Sequence, residues 1–510
     1  MRDAVDSLRA GLDRHARVVL IAVAIIVCAT LVVHARAKHF WHDEIYTILA
    51  SRLPVITVWQ ASRDGLDLAP PLNTILTRLA HAVLGVGPVS TRLPPMAGFL
   101  GACLLLFVMV RRRSNALLGL SAALVPCFTV AYQYAYEARG YDVALGTFTL
   151  ALFAWSEAAA GRGRRLHLPT MAIALSAGVW AHYYAVLAFV PIAAGELVRQ
   201  IARRRLDLAP WAALLGAGLG ALPLVPLAAA AAPQAATFWT RLEPVGIGAT
   251  YGSILAPLWS GRMAVAAAVV ILLLAVDALR GAADRPSSHE LPAHEVTAGL
   301  GSLAIPALGA LIGMHAGIPF VPRYVLFAVA GFAMVISLAV WRSTSRDGIA
   351  DVGLCLMLVG AFAANAVSIF GDEPVWRSPV AGRTLLTERL AAHEQVALSG
   401  GIGYLELWYH LPPEMQHRAV YLADPEAELR QTGSDTIDRG YLALARWAPV
   451  PVIEYGAFVR QHREFPVYVC GRAWLGPRLR DDGASIEDVR PEAGCWTYHV
   501  RLPAAKPARR

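Results

Sequence analysis

Apolar residues run in long uninterrupted blocks along most of this chain, with polar residues gathered into short stretches between them. Blocks of this kind are candidates for helices that cross a bilayer. The pattern predicts eleven spans, at 18–34, 95–110, 116–131, 142–160, 168–181, 184–198, 208–232, 262–279, 297–314, 325–340 and 348–370. Two of them, 168–181 and 184–198, are short and read as a tight hairpin that crosses twice or re-enters. Both options preserve the sidedness of everything downstream. Ala35-Arg36-Ala37 after the first block looks like a signal-peptidase site, but the long charged segment before it fits an uncleaved span.

Two stretches break the pattern. In the loop 35–94, Pro70-Pro71 opens a segment whose Leu72, Ile75, Leu76, Leu79, Val83 and Leu84 fall on one helical face, and Gly85 and Gly87 stop it. An amphipathic helix beside a span is expected to lie in the membrane interface. Beyond residue 370 the charge density rises, and the apolar runs 395–398 and 466–470 read as short buried strands between helical stretches. The expected organisation is a transmembrane domain over 1–370 and a small soluble α/β domain over 371–510. Gly400-Gly401-Ile402-Gly403 follows a strand but is too incomplete for a nucleotide-binding turn.

Composition agrees. Of 510 residues, 56% are hydrophobic and 16% charged, with a mean hydropathy of +0.48. Soluble domains carry about 25% charged residues. An ordinary cytosolic enzyme and a disordered or fibrous chain are excluded. The net charge of +8 is scattered between apolar blocks, so nucleic acid is not the expected partner. With the N-terminus inside, the inner loops hold 18 Lys and Arg in 62 residues and the outer loops 9 in 111. That asymmetry follows the positive-inside rule and puts 371–510 outside. Cys28, Cys103, Cys127 and Cys355 lie in apolar runs, whereas Cys470 and Cys495 lie in the polar C-terminal part and can pair if it faces an oxidising compartment.

On this topology the motifs richest in ionisable and aromatic residues all fall outside. They are His42-Asp43-Glu44, the run from Tyr132 to Tyr141 with Glu137 and Arg139, His182-Tyr183-Tyr184, and Pro322-Arg323-Tyr324. A face that gathers carboxylates, arginines, histidines and tyrosines has the make-up of an active site. Asp43 suits a general base, though an aspartate there also suits a helix cap. His39 and His42 with Asp43 are a candidate set of ligands for a divalent metal. Arg323 and Arg139 are each either phosphate-binding residues or interfacial anchors.

The same residues, with Ala69-Pro70-Pro71-Leu72, Thr91-Arg92-Leu93-Pro94 and Phe320-Val321-Pro322-Arg323-Tyr324, come in an order that carries a resemblance. Together they resemble the polytopic GT-C glycosyltransferases of the dolichyl-phosphate-mannose protein mannosyltransferase and aminoarabinose lipid A transferase superfamily, over roughly residues 15–370. The resemblance implies a bacterial inner-membrane enzyme with a periplasmic C-terminal domain. It would transfer a sugar from a polyprenyl-phosphate donor to a lipid, glycan or protein acceptor by a single inverting displacement. It further implies that Asp43 is the base and Glu44 positions it. Arg323, Arg139 and Tyr324 would bind the donor phosphate, while His182, Tyr183, Tyr141, Glu137 and His42 would line the sugar or acceptor pocket. The rival reading is a lipid or polysaccharide transporter, which would be expected to place ionisable groups at the bilayer midplane and to show repeated halves. A membrane scaffold is the third.

Overall fold

The computed structural model describes residues 2–241, 245–256, 291–343, 350–371, 376–392, 394–471 and 473–503. The chain divides into two compact units. One comprises Met1–Ala37, Ala69–Val225 and Val245–Pro374, and the other Lys38–Leu68, Pro226–Pro244 and Val375–Arg510. The division is therefore not a single cut near residue 370, because part of the first loop belongs with the C-terminal part.

The first unit is helical. Among the described residues, seven helices are long and apolar enough to cross a membrane: Asp13–Ala37, Pro88–Arg113, Tyr183–Arg203, Leu208–Ala236, Ala293–His315, Pro322–Ser343 and Ala350–Gly371. The expected span 262–279 lies outside the described residues. The blocks at 116–131, 142–160 and 168–181 are helical as well, with helices at Ala116–Leu124, Tyr141–Ala159 and Arg164–Ala181. Local chemistry sets several ends. Pro88 opens its helix after Gly87, and the Asn115 side chain accepts the Leu118 N–H at 3.0 Å to start the next.

Two features shape this bundle. Pro88–Arg113 and Tyr141–Ala159 cross backbone to backbone. A Cβ on Gly98 would sit 2.2 Å from the Asp142 carbonyl oxygen, and one on Gly146 would sit 2.6 Å from that of Gly98. Small residues permit such an approach, which is how membrane helices gain close packing. At the opposite end, Arg112 and Arg162 both pair with Glu157, Arg113 pairs with Glu295, and Arg199 pairs with Glu196 and Asp207. Basic residues that read as topology markers thus also neutralise buried carboxylates.

The helix Leu72–Leu84 forms where the pattern placed it, with its apolar face outward. Asn73, Thr74 and Thr77 are buried, while Leu79, Val83 and Leu84 are exposed. That orientation suits lipid contact. Its apolar side forms one wall of an open groove of about 610 Å³, with Leu93, Gly101, Val143 and Leu150 on the others.

The second unit is built on a six-stranded sheet of order β3-β2-β1-β4-β6-β5. The strands are β1 Val396–Ser399, β2 Ala419–Ala423, β3 Val452–Glu454, β4 Glu464–Cys470, β5 Ser485–Glu492 and β6 Cys495–Arg501. The first four in that order are parallel, and β6 and β5 add antiparallel at the edge. β1 and β2 are buried throughout, as parallel strands covered on both faces must be. Cys470 and Cys495 are cross-strand partners in β4 and β6 and form a disulfide. One sheet face is covered from far away in sequence. Ile45, Tyr46, Leu49, Ala61 and Leu66 of the first loop pack with Leu398, Leu405, Trp408 and Tyr441.

Candidate functional site

Two clusters carry the expected chemistry, one in each unit. In the first unit the loop Tyr136–Gly140 turns between helices, held by the Asn73 amide, which donates to the Ala138 carbonyl at 3.0 Å. Gly140 is required here, since a Cβ would fall 2.4 Å from the Ala181 carbonyl oxygen. Tyr141 then opens its helix, and the hydroxyl at its tip accepts a hydrogen bond from Arg323 Nε at 3.0 Å. Arg323 lies in the 3-10 segment Pro322–Ala328, its guanidinium 6.0 Å from the ring centres of both Tyr141 and Tyr324.

His182 closes this cluster. Its ring centre is 5.3 Å from that of Tyr141 and 4.7 Å from that of Tyr324. Burial, then the Arg139 and Arg323 cations, push His182 down to about 3, so the imidazole is neutral. Nδ1 accepts the Tyr184 N–H at 3.3 Å, which leaves the ring proton on Nε2. The fold thus brings Tyr141, His182, Arg323 and Tyr324 together, with Arg139 close enough to act on His182. Tyr183 starts the next 3-10 segment, and Glu137 is buried in the loop before Arg139.

Several neighbours were given no role from the sequence. Tyr134 stacks edge-on against Tyr141 at 5.0 Å, and Tyr184 lies 5.5 Å from both Phe320 and Tyr324. Asp142 is fully buried, and neither carboxylate oxygen has a hydrogen-bond partner among the described residues. Arg92 is also fully buried and donates to the Ala35 carbonyl at 2.5 Å, capping the last turn of the first helix.

In the second unit, Asp43 is partly exposed in the first turn of the helix His42–Ser51. Glu44 is fully buried and accepts the Trp41 N–H at 3.4 Å, so it closes that turn. The His42 N–H goes to a third carboxylate, Glu406, at 3.2 Å. Burial raises Glu406 above the ordinary range; Asp43 and Glu44 raise it further, and the His42 N–H and Lys38 oppose them. Glu406 was invisible as a partner in sequence. The candidate metal set does not assemble. The His42 ring packs against Tyr46 and Tyr441, and the His39 ring against His410. Among the described residues, no group of three or more His, Cys, Asp or Glu side chains is arranged to hold a metal ion.

Chemically, the first cluster offers guanidinium groups, tyrosine hydroxyls and a neutral imidazole donor, which suits a phosphate and a polyhydroxylated ligand. The second offers a carboxylate at a helix start. The sequence matches no known family model and no curated protein sequence. Solved structures are similar, two of them of one protein. ArnT from Cupriavidus metallidurans in the apo state superposes with a TM-score of 0.58 at 12% identity, covering 94% of this chain and 97% of that one. The same protein bound to undecaprenyl phosphate gives 0.57 at 13% identity, with the same coverage. Over nearly its whole length, this chain has the fold of ArnT.

Proposed function

We propose that the protein is a membrane glycosyltransferase that moves a sugar from a polyprenyl-phosphate carrier to an acceptor outside the cytoplasm. The observation that carries this reading is the Arg323–Tyr141–His182–Tyr324 cluster, within a fold whose solved example binds undecaprenyl phosphate. An acceptor oxygen or nitrogen attacks the anomeric carbon as the bond from that carbon to the phosphate oxygen breaks. The electron pair leaves with the polyprenyl phosphate, and configuration inverts in one step. Asp43 takes the acceptor's proton, with Glu44 holding the helix start that carries it. Arg323 and Arg139 neutralise the charge developing on the phosphate, and Tyr324 adds a hydroxyl. His182, Tyr183, Tyr141, Glu137 and His42 hold the sugar or acceptor. The apolar groove along Leu72–Leu84 suits a lipid chain.

The test uses membranes of the source organism deleted for this protein and complemented with variants, so that native donors and acceptors are present. Label is followed from the lipid-phosphate fraction into lipid, glycan and protein fractions. Asp43→Asn should insert normally and bind undecaprenyl phosphate, while transfer falls by about 10²-fold or more, the usual contribution of a general base. Near-wild-type transfer in that variant overturns the reading.

A further inference from the structure

We propose that Glu406 and His410 are positioning residues of the transfer reaction, forming a two-point clamp on the backbone that carries Asp43. The inference rests on the reading of Asp43 as the base.

Both residues lie on the helix Gly403–His410, which follows β1 directly and is anchored to the sheet by buried Leu405, Leu407 and Trp408. Positions 406 and 410 are one turn apart and share a face. Glu406 Oε1 accepts the His42 N–H at 3.2 Å, and His410 Nε2 is 3.1 Å from the Phe40 carbonyl oxygen, to which it donates. The two contacts therefore grip the chain on either side of Trp41, immediately before Asp43. Ring contacts reinforce the grip: Phe40 meets Tyr409 at 6.0 Å and His39 meets His410 at 5.1 Å.

A helix start has backbone N–H groups that need acceptors. Here Glu44 takes that of Trp41, but Glu44 belongs to the same turn and moves with it. Glu406 takes that of His42 from a helix 364 residues away, and so ties the turn to a rigid frame. A neutral side chain would make the same hydrogen bond without setting a carboxylate beside Asp43 and Glu44. Placement of a base matters steeply, since an error of about 1 Å can lower a rate 10²-fold.

Full-length variants are compared in the complemented membranes, with undecaprenyl phosphate binding measured separately. Glu406→Leu should lower transfer at saturating donor by about 10- to 100-fold, with undecaprenyl phosphate affinity unchanged. Glu406→Gln keeps an amide oxygen to accept the His42 N–H and should stay within about threefold of wild type. His410→Phe keeps the ring but loses the donor, and should fall about tenfold. Wild-type transfer in Glu406→Leu overturns the clamp, and so does a Gln variant as inactive as the Leu variant. Loss of protease resistance in the C-terminal unit of both Glu406→Leu and His410→Phe would make the contact structural glue and overturn it too. If Asp43→Asn is active, the base assignment fails first. If Asp43→Asn is inactive and Glu406→Leu is not, only the clamp fails.

Discussion

Removing the Cys470–Cys495 bond tests both the energetics of the C-terminal unit and its proposed compartment. The two cysteines face each other across β4 and β6, 25 residues apart in sequence, and the segment between them contains the helix Leu475–Asp481 and β5. Closing a loop of that size removes unfolded-state entropy worth about 3.5 kcal/mol at 25 °C. Domains are stable by about 5–15 kcal/mol, so the bond supplies a large share. Serine at both positions is a suitable perturbation. Arg383 Nη1 lies 2.7 Å from Cys495 Sγ and donates to the Tyr468 hydroxyl, and a serine oxygen can still accept from it. Pulse proteolysis of the full-length protein in detergent, across a urea series, follows unfolding of the C-terminal unit. With slopes of about 1–3 kcal/mol per molar urea, the midpoint should drop by roughly 1–3 M. A drop below about 0.3 M would refute the entropy argument. Separately, two alkylatable thiols at these positions in protein taken from membranes without reductant would put the unit in a reducing compartment. That result would overturn the proposed outer location.

Arg323→Ala should weaken undecaprenyl phosphate binding by about 10- to 100-fold, the loss of hydrogen bonds from a charged donor. Arg323→Lys should recover only part of it, because lysine lacks the paired geometry; unchanged affinity in the alanine variant would make Arg323 an interfacial anchor. Burial and the neighbouring Asp438 push Glu428 up to about 8, and burial pushes Asp438 up to about 6. Both acids bind their protons more tightly folded than unfolded, so the stability they contribute is full below about pH 4 and is lost as pH rises, by about 6 for Asp438 and by about 8 for Glu428. The midpoint of the C-terminal unit should therefore decline between pH 5 and 8.5, and Glu428→Gln should flatten the decline; an equal slope in that variant would refute the assignment.

The parts of the fold legible in sequence are those with local causes. Membrane spans need long apolar blocks, so most were visible, and the helix Leu72–Leu84 announced itself by its prolines, period and glycines. β1 and β4 showed as short apolar runs because parallel strands are buried on both faces. The association of Tyr141 with Arg323 is different in kind, since 182 residues separate them and only helix packing makes them neighbours. The aromatic members Tyr134, Tyr184 and Phe320 were indistinguishable from an interfacial belt until ring contacts placed them. His39 and His42 were only a candidate ligand pair, since their spacing sets no ligand geometry, and their rings pack against different partners. The arginines between apolar blocks read as topology markers, and that reading hid the buried acids they neutralise.

The hydrogen bond from His42 to Glu406 also has a consequence for how the protein is made. Its partners are 364 residues apart, and at 5–20 residues per second the ribosome takes roughly 20–70 s to pass from one to the other. Through that interval Lys38–Leu68 has left the exit tunnel without the sheet it folds against. Ile45, Leu49 and Leu66 must wait for strands made last. A chain interrupted before residue 396 would lack the strands that this segment packs against, and on the proposed role of Asp43 it would not yet transfer sugar.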